Sequence, residues 1–462
     1  MEWAKKTSAL ALLFYPPKTP CHAFSLPATP APSPTQASQS FDKSPSSSSA
    51  TPPLHIFYDS LNHMHRDIKY HPECPDRIDH CLDAIRRHFS SSSSSSSSSE
   101  HNESTELLPS SYMIDVASNP FSPSIDPIDS LQEHPSPLSQ QELEHATTIL
   151  KQIHDPSHVD ALQNKCDSSR QRRIDEGKDP LGWLGYIDGS DTYLTTESHD
   201  VGVRATGAWI RAVNTALGFK KITGSNEAEQ STNPIGIALT RPPGHHATYS
   251  LSNGFCIYNF AMAAAAHALS INPTMKISIL DWDVHFGQGL MDILDKCSTR
   301  NSNEEGLTEA GKNDWTSHVR YTSLHQVPCF PYEGQRRQRQ GQYQNVMTIP
   351  IQPESTWHCG YRELFTTYAL PFVHAPDEWE PDLIIVCAGY DALDSDELAG
   401  VNLVAKDYGE MTRLLLERTS LSSKRPDLVL GLEGGYQLRE EVAGGNLSDG
   451  LIETIQALQS PM

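Results

Sequence analysis

Lys276-Ile277-Ser278-Ile279-Leu280-Asp281-Trp282-Asp283-Val284-His285 ends a short apolar, β-branched run in two carboxylates and an imidazole. The run 276–280 reads as a buried strand. The same pattern recurs three times. The strand candidate 235–239 is followed by Arg241-Pro242-Pro243-Gly244-His245-His246, the run 383–388 leads into Gly389-Tyr390-Asp391, and the run 428–432 into Glu433-Gly434-Gly435-Tyr436. Between these runs lie segments of helical character at 205–218, 261–270 and around 289–294, and further strand candidates fall at 54–58, 321–324 and 346–351. Earlier, 79–89 reads as a helix, and Leu143, Ala146, Leu150 and Ile153 recur at helical spacing. Alternating β and α segments predict an α/β domain with a mostly parallel sheet flanked by helices on both faces. In such sheets ligands bind beyond the carboxyl ends of the strands, so four polar clusters at four strand ends predict one convergent site.

Composition sets bounds on this domain. The chain has 462 residues, a net charge of −22, 37% hydrophobic residues and 33 prolines. Residues 1–53 hold four lysines and two acids, which leaves 31 basic and 55 acidic residues, a net of −24, for 54–462. Residues 1–53, rich in Pro, Ser and Thr, are expected to be disordered or to form a targeting segment. If that segment is a transit peptide, the location is an organelle (plastid or mitochondrion); otherwise it is the cytoplasm or nucleus. Residues 54–462 form the single large domain, with polar insertions near 90–139, where residues 90–99 are all serine, and near 300–318. Residues 333–344 also read as a loop. The acidity argues against direct nucleic-acid binding through a basic surface, and no stretch of 18 apolar residues exists to span a membrane. Nine cysteines without a C-x-x-C pair predict free thiols.

Asp283 and His285 are spaced i, i+2, which on an extended segment places both side chains on one face. With Asp391 they make an Asp-His-Asp set, and three protein ligands with one open position are the pattern of a catalytic zinc. In isolation a D-x-D-x-H string is more often a polar strand end. The adjacent His245 and His246 need acceptors if buried. Asp281 is one candidate, fixing a tautomer and favouring an imidazolium, while the other histidine is free to act as general base. Tyr436, after two glycines, is either a packing tyrosine at a turn or a phenol donor to a developing oxyanion.

Taken together and in this order, His71-Pro72-Glu73-Cys74-Pro75-Asp76-Arg77, the R-P-P-G-H-H run to His246, G-F-C-x-x-N from Gly254, D-x-D-V-H-x-G from Asp281, A-G-Y-D-A from Ala388 and E-G-G-Y from Glu433 resemble a zinc-dependent histone deacetylase, class II-like, of the arginase/deacetylase fold. The resemblance runs from residue 54 to about 445. It implies an eight-stranded central sheet, one Zn2+ held by Asp283, His285 and Asp391, and a structural K+ near Asp281, Asp283, His285, Ser323 and Leu324. It implies that His245, paired with Asp281, and the general base His246 work with Tyr436 on an acetyl carbonyl. Gly254, Phe255 and Phe330 would line the tunnel for a lysine stem, and Asp191 would accept the substrate backbone at the rim.

The implied activity is removal of acetyl from lysine side chains of histones or other proteins. A second reading has small acetylated amines such as acetylpolyamines as substrate, and a third is a non-catalytic acetyl-lysine-binding scaffold. The polyamine-directed relatives carry a Glu seven residues after the third ligand, where this chain has Leu398, next to Glu397. Phe286, Gln288 and Gln437 depart from the family pattern, and Gln288 stands where an Asn or Asp orients the second histidine.

Overall fold

The computed structural model describes residues 52–67, 70–93, 131–134, 137–218, 234–303, 314–422 and 424–460. The expectations for the N-terminal segment through residue 51, and for most of 90–139 and 300–318, lie outside these residues. The described residues fall in one unit, Ser49–Met462.

Eleven strands follow in chain order: β1 (Leu54–Phe57), β2 (Leu131–His134), β3 (Trp183–Tyr186), β4 (Tyr193–Thr195), β5 (Ile235–Ala238), β6 (Ile277–Asp281), β7 (Val319–Gln326), β8 (Gln338–Gln340), β9 (Val346–Ile351), β10 (Leu383–Ala388) and β11 (Asp427–Leu432). Nine of them form the main sheet in the order β2-β1-β5-β11-β10-β6-β7-β9-β8, while β3 and β4 pair separately. Eight of the nine are parallel, and β8 joins β9 antiparallel. The implied eight-stranded sheet is thus a nine-stranded one. The extra strand comes from 333–344, read above as a loop, and β2 comes from the serine- and proline-rich insertion.

Strand alternation builds two cores. On β10, Leu383, Ile385 and Cys387 pack into the core on one face, and Ile384, Val386 and Ala388 into the core on the other. A parallel strand buried on both faces needs an unbroken apolar run, which is what the sequence supplies. The first face is covered by α2 (Gln140–Ile153), α3 (Pro156–Asp175), α4 (Ser198–Ala216), α5 (Phe260–Ile271) and α6 (Gln288–Asn303). The second is covered by α1 (Asp76–Ser93), α7 (Ala405–Thr419) and α8 (Leu447–Gln459). Helix α2 shows how local sequence fixes an element. Ser139 Oγ accepts from the backbone of Glu142 (3.3 Å), Glu142 Oε2 accepts from the backbone of Ser139 (2.8 Å), and Ala146, Ile149, Leu150 and Ile153 form the buried stripe. Among the described residues no helix is long and apolar enough to cross a membrane, and the described cysteines are free thiols.

His154 ties this scaffold to the loop behind the site. At the end of α2, its Nδ1 lies 2.8 Å from the carbonyl of Thr248, and its Nε2 accepts from the backbone of Asn259 at 3.0 Å. Asn259 in turn caps α5. Both ring nitrogens are used by a neutral imidazole, and burial lowers the His154 pKa to about 3. An unfolded chain takes up this proton below about pH 6.5, which the folded protein refuses. Stability from this group is therefore complete above that pH and lost as the pH falls toward 3. Thermal unfolding at pH 7 and pH 5 is expected to show a smaller acid loss in His154→Gln than in the parent. Equal losses would mean that the folded protein protonates His154.

Candidate active site

The carboxyl ends of β5, β11, β10 and β6 lie side by side, because these strands are adjacent and parallel; Cys387 is level with Asp281, and Ala388 with Leu432. The four sequence clusters therefore emerge together.

Asp283, His285 and Asp391 converge, with one ligand atom from each inside 4.8 Å of the others. His285 Nδ1 lies 3.2 Å from Asp283 Oδ1 and 3.0 Å from Asp391 Oδ2. The outer carboxylate oxygens are held by backbone donors: Asp283 Oδ2 by Gly434 (2.7 Å) and Asp391 Oδ1 by Val284 (2.9 Å). A Cβ on residue 434 would stand 2.1 Å from Asp391 Oδ2, so only glycine fits there. Two oriented carboxylates and an imidazole, all buried, are a donor set suited to a divalent zinc.

Beside this trio stand the paired histidines, with ring centroids 4.0 Å apart. His245 Nδ1 is 3.1 Å from Asp281 Oδ2, and its Nε2 is 3.7 Å from Asp283 Oδ1. Burial opposes charge on His245, but Asp283 and Asp281 outweigh it and raise its pKa to about 10. His246 Nδ1 lies 2.6 Å from Gln288 Oε1. A glutamine oxygen only accepts, so Nδ1 carries the proton and Nε2 keeps its lone pair. Burial, then the neighbouring His245 and His285, push the His246 pKa well down. The longer Gln288 thus reaches the second histidine. Glu433 holds the pair from behind, its Oε2 accepting from the backbones of Gly244 (2.6 Å) and His245 (3.1 Å).

Tyr436 is half-buried, and burial raises its phenol well above the ordinary value, so it remains an O–H donor. Its backbone N–H donates to Asp396 Oδ2 (2.7 Å) and the Arg77 guanidinium lies 4.7 Å from its ring centre. Arg77 also donates to the carbonyls of Gly435 (2.7 Å) and Glu433. Glu73 stands near Arg77 (3.9 Å) and forms a two-pronged pair with Arg241 at 2.7 and 2.6 Å. The motif containing His71 and Arg77 is thus the buried brace beneath the tyrosine. Asp396 is a supporting residue without a sequence signal of its own.

A family model for the histone deacetylase domain matches residues 124–445, well over half of the chain. The chain belongs to the histone deacetylase family. It is 36% identical over 269 residues to an uncharacterized protein of Synechocystis sp., spanning 58% of this chain and 72% of that one. To a protein named histone deacetylase 14, chloroplastic, of Arabidopsis thaliana it is 27% identical over 312 residues, spanning 66% and 62%. A probable deacetylase of Archaeoglobus fulgidus is 31% identical over 268 residues, spanning 57% and 63%. Less than two thirds of the length of these last two is covered. The crystal structure of the HDA15 HD domain superposes with a TM-score of 0.59, covering 89% of this chain and 91% of that one at 21% identity, a likeness of fold. Family membership supports a deacetylase.

Phe330 packs on His246 (ring centres 4.9 Å) and Phe255 on Tyr436 (5.6 Å). Gly254, at φ +52°, sits between His246 and Phe330, where a Cβ would be 2.5 Å from the imidazole. Asp191 is half-buried, with its carbonyl 3.3 Å from His71 Nε2. Phe286 is buried against His325 (4.7 Å) in the first core. Leu398 is half-buried, whereas Glu397 is 79% exposed and 3.8 Å from Arg439. The potassium expectation gains no support. Asp281 Oδ2 takes His245 and Tyr321 (2.8 Å), its Oδ1 takes the backbone of Asp283 (3.2 Å), Ser323 Oγ pairs with His325 (2.9 Å), and Leu324 is core.

Proposed function

We propose that this chain is a zinc-dependent amidohydrolase that removes acetyl groups from lysine side chains of histones or other proteins. The observation that carries this reading is the convergence of Asp283, His285 and Asp391 beside a histidine whose Nε2 has no hydrogen-bond partner among the described residues. A zinc ion held by these three residues supplies a Lewis acid that polarises a carbonyl and acidifies water. His246, neutral and fixed through Nδ1 by Gln288, takes the proton of the attacking water at Nε2 and returns it to the leaving amine. His245, held charged by Asp281 and Asp283, adds positive potential beside the growing negative charge. Tyr436 donates its O–H to the carbonyl oxygen, and Phe255 and Phe330 offer apolar faces to the methylene stem.

The substrate class rests on two further observations. Glu397 points toward solvent and Arg439, so no carboxylate gatekeeper for a small polyamine is supported at that corner. The body's net charge of −24 favours a cationic substrate, lysine-rich chain and polyamine alike, so the choice between them rests on the position of Glu397. The test is turnover of an acetyl-lysine peptide against acetylspermidine by zinc-loaded protein. The peptide is expected to have the higher kcat/KM. Preference for acetylspermidine would overturn the substrate assignment, and no turnover of either with metal confirmed would favour the scaffold reading. An organelle destination directed by residues 1–53 is likewise a proposal, supported by the chloroplastic names of the Arabidopsis relative and of a 27% identical rice relative. A fluorescent protein carrying these residues that stays cytosolic would remove it.

A further inference from the structure

Asp396 serves two loops at once. It lies in the stretch that follows β10 and carries Asp391, and it is 5% exposed. Its Oδ1 accepts from the backbone of Leu398 (3.0 Å), which closes a turn within its own loop. Its Oδ2 crosses to the stretch after β11 and accepts from the backbones of Tyr436 (2.7 Å) and Gln437 (3.3 Å). Gln437 straps the loops in the other direction. Its Nε2 donates to the carbonyl of Ser395 (2.8 Å), while its Oε1 accepts from the backbone of Arg439 (2.9 Å). Ser395 Oγ donates to the carbonyl of Gly445 (2.6 Å). The loop with Asp391 and the loop with Tyr436 are thus fastened together at the tyrosine and its neighbour.

An aspartate that only caps a turn needs the Leu398 contact alone. The second oxygen reaches 40 and 41 residues along the chain, and both contacts fall on the Tyr436 segment. That segment needs a restraint. Gly434 and Gly435 precede the tyrosine, Gly435 at φ +114°, and glycines leave the backbone free to swing. Glycine at 434 is demanded by the carboxylates of Asp391 and Asp283, which a Cβ would approach to 2.1 and 2.5 Å. The freedom it brings must therefore be removed by contacts elsewhere. Burying a carboxyl is costly, and here both oxygens are met by backbone N–H groups rather than by a side-chain cation. Burial, then Asp391, push this carboxyl up to about 7. We propose that Asp396 is a positioning residue, with Gln437 as a second strap, that fixes the Tyr436 O–H relative to Asp283, His285 and Asp391 and acts on the reaction only through that phenol. The inference rests on the deacetylase reading above.

The test is a double-mutant cycle on the zinc-loaded full chain, with kcat, KM and zinc content read for each variant. Asp396→Ala is expected to lower kcat on the order of 10²-fold, the effect of a misplaced catalytic group, with KM little changed and full zinc content. In the Tyr436→Phe background the same substitution is expected to cost less than about threefold, because residues that act as a unit are not additive. Gln437→Ala is expected to lower kcat about tenfold in the parent and to lose that effect in the same background. Should Asp396→Ala fail to fold, Asp396→Asn keeps the shape and one acceptor, with an expected loss of about tenfold that also vanishes beside Tyr436→Phe. A merely structural aspartate would lower kcat by the same factor in both backgrounds, and that result overturns the proposal. So does a parent-like kcat in Asp396→Ala, and so does zinc loss from it, which would place its role at Asp391. A parent that turns over no acetylated amine overturns the deacetylase reading and this inference with it, whereas additive losses in an active parent overturn the positioning role alone.

Discussion

Tyr436→Phe is expected to lower kcat by about 10²–10³, the usual effect of removing one oxyanion donor, with KM little changed and full zinc content. The variant isolates one atom. The ring remains against Phe255 and under the Arg77 guanidinium, and the backbone remains anchored to Asp396. Only the O–H is lost. Steady-state kinetics and metal analysis of the same sample check this. Activity within a few-fold of the parent would remove the phenol from the mechanism, and zinc loss would show that its role is structural.

Asp391→Ala is expected to abolish both zinc retention and turnover. The alanine removes one of three ligands, takes a carboxylate from His285 Nδ1 and leaves the Val284 N–H without its acceptor. Loss of a supporting outer partner already costs about 10–100-fold in metal affinity, so loss of a ligand costs more. Zinc content after dialysis is the readout, with circular dichroism confirming the fold. Full occupancy in the variant would show that Asp391 is not a ligand.

The site was legible because its residues follow central strands. Each of β5, β6, β10 and β11 is mostly apolar and almost entirely buried, and chemistry that begins where such a run stops is visible without coordinates. What escaped lies at the two margins of the sheet. β2, Leu-Gln-Glu-His, and β8, Gln-Arg-Gln, pair on one side only and are mostly polar in sequence, so they carry little of the apolar signal that marks a strand. Asp396 escaped for a different reason: it supports Tyr436 from 40 residues away, a contact made only by tertiary folding. Gln288 could be read as a departure from a pattern, but its reach to His246 depended on where α6 begins.

The strand order carries a consequence for timing. His285 and Asp391 are separated by 106 residues, and Gly244 and Glu433 by 189, yet all meet at adjacent strand ends. Contacts this distant in sequence form slowly and only once the intervening chain has been made. No early folding fragment assembles Asp283, His285 and Asp391, so if they hold zinc as proposed, its capture would be coupled to completion of the central sheet. Under that proposal, the compartment that hosts this last folding step would be the one that furnishes the ion.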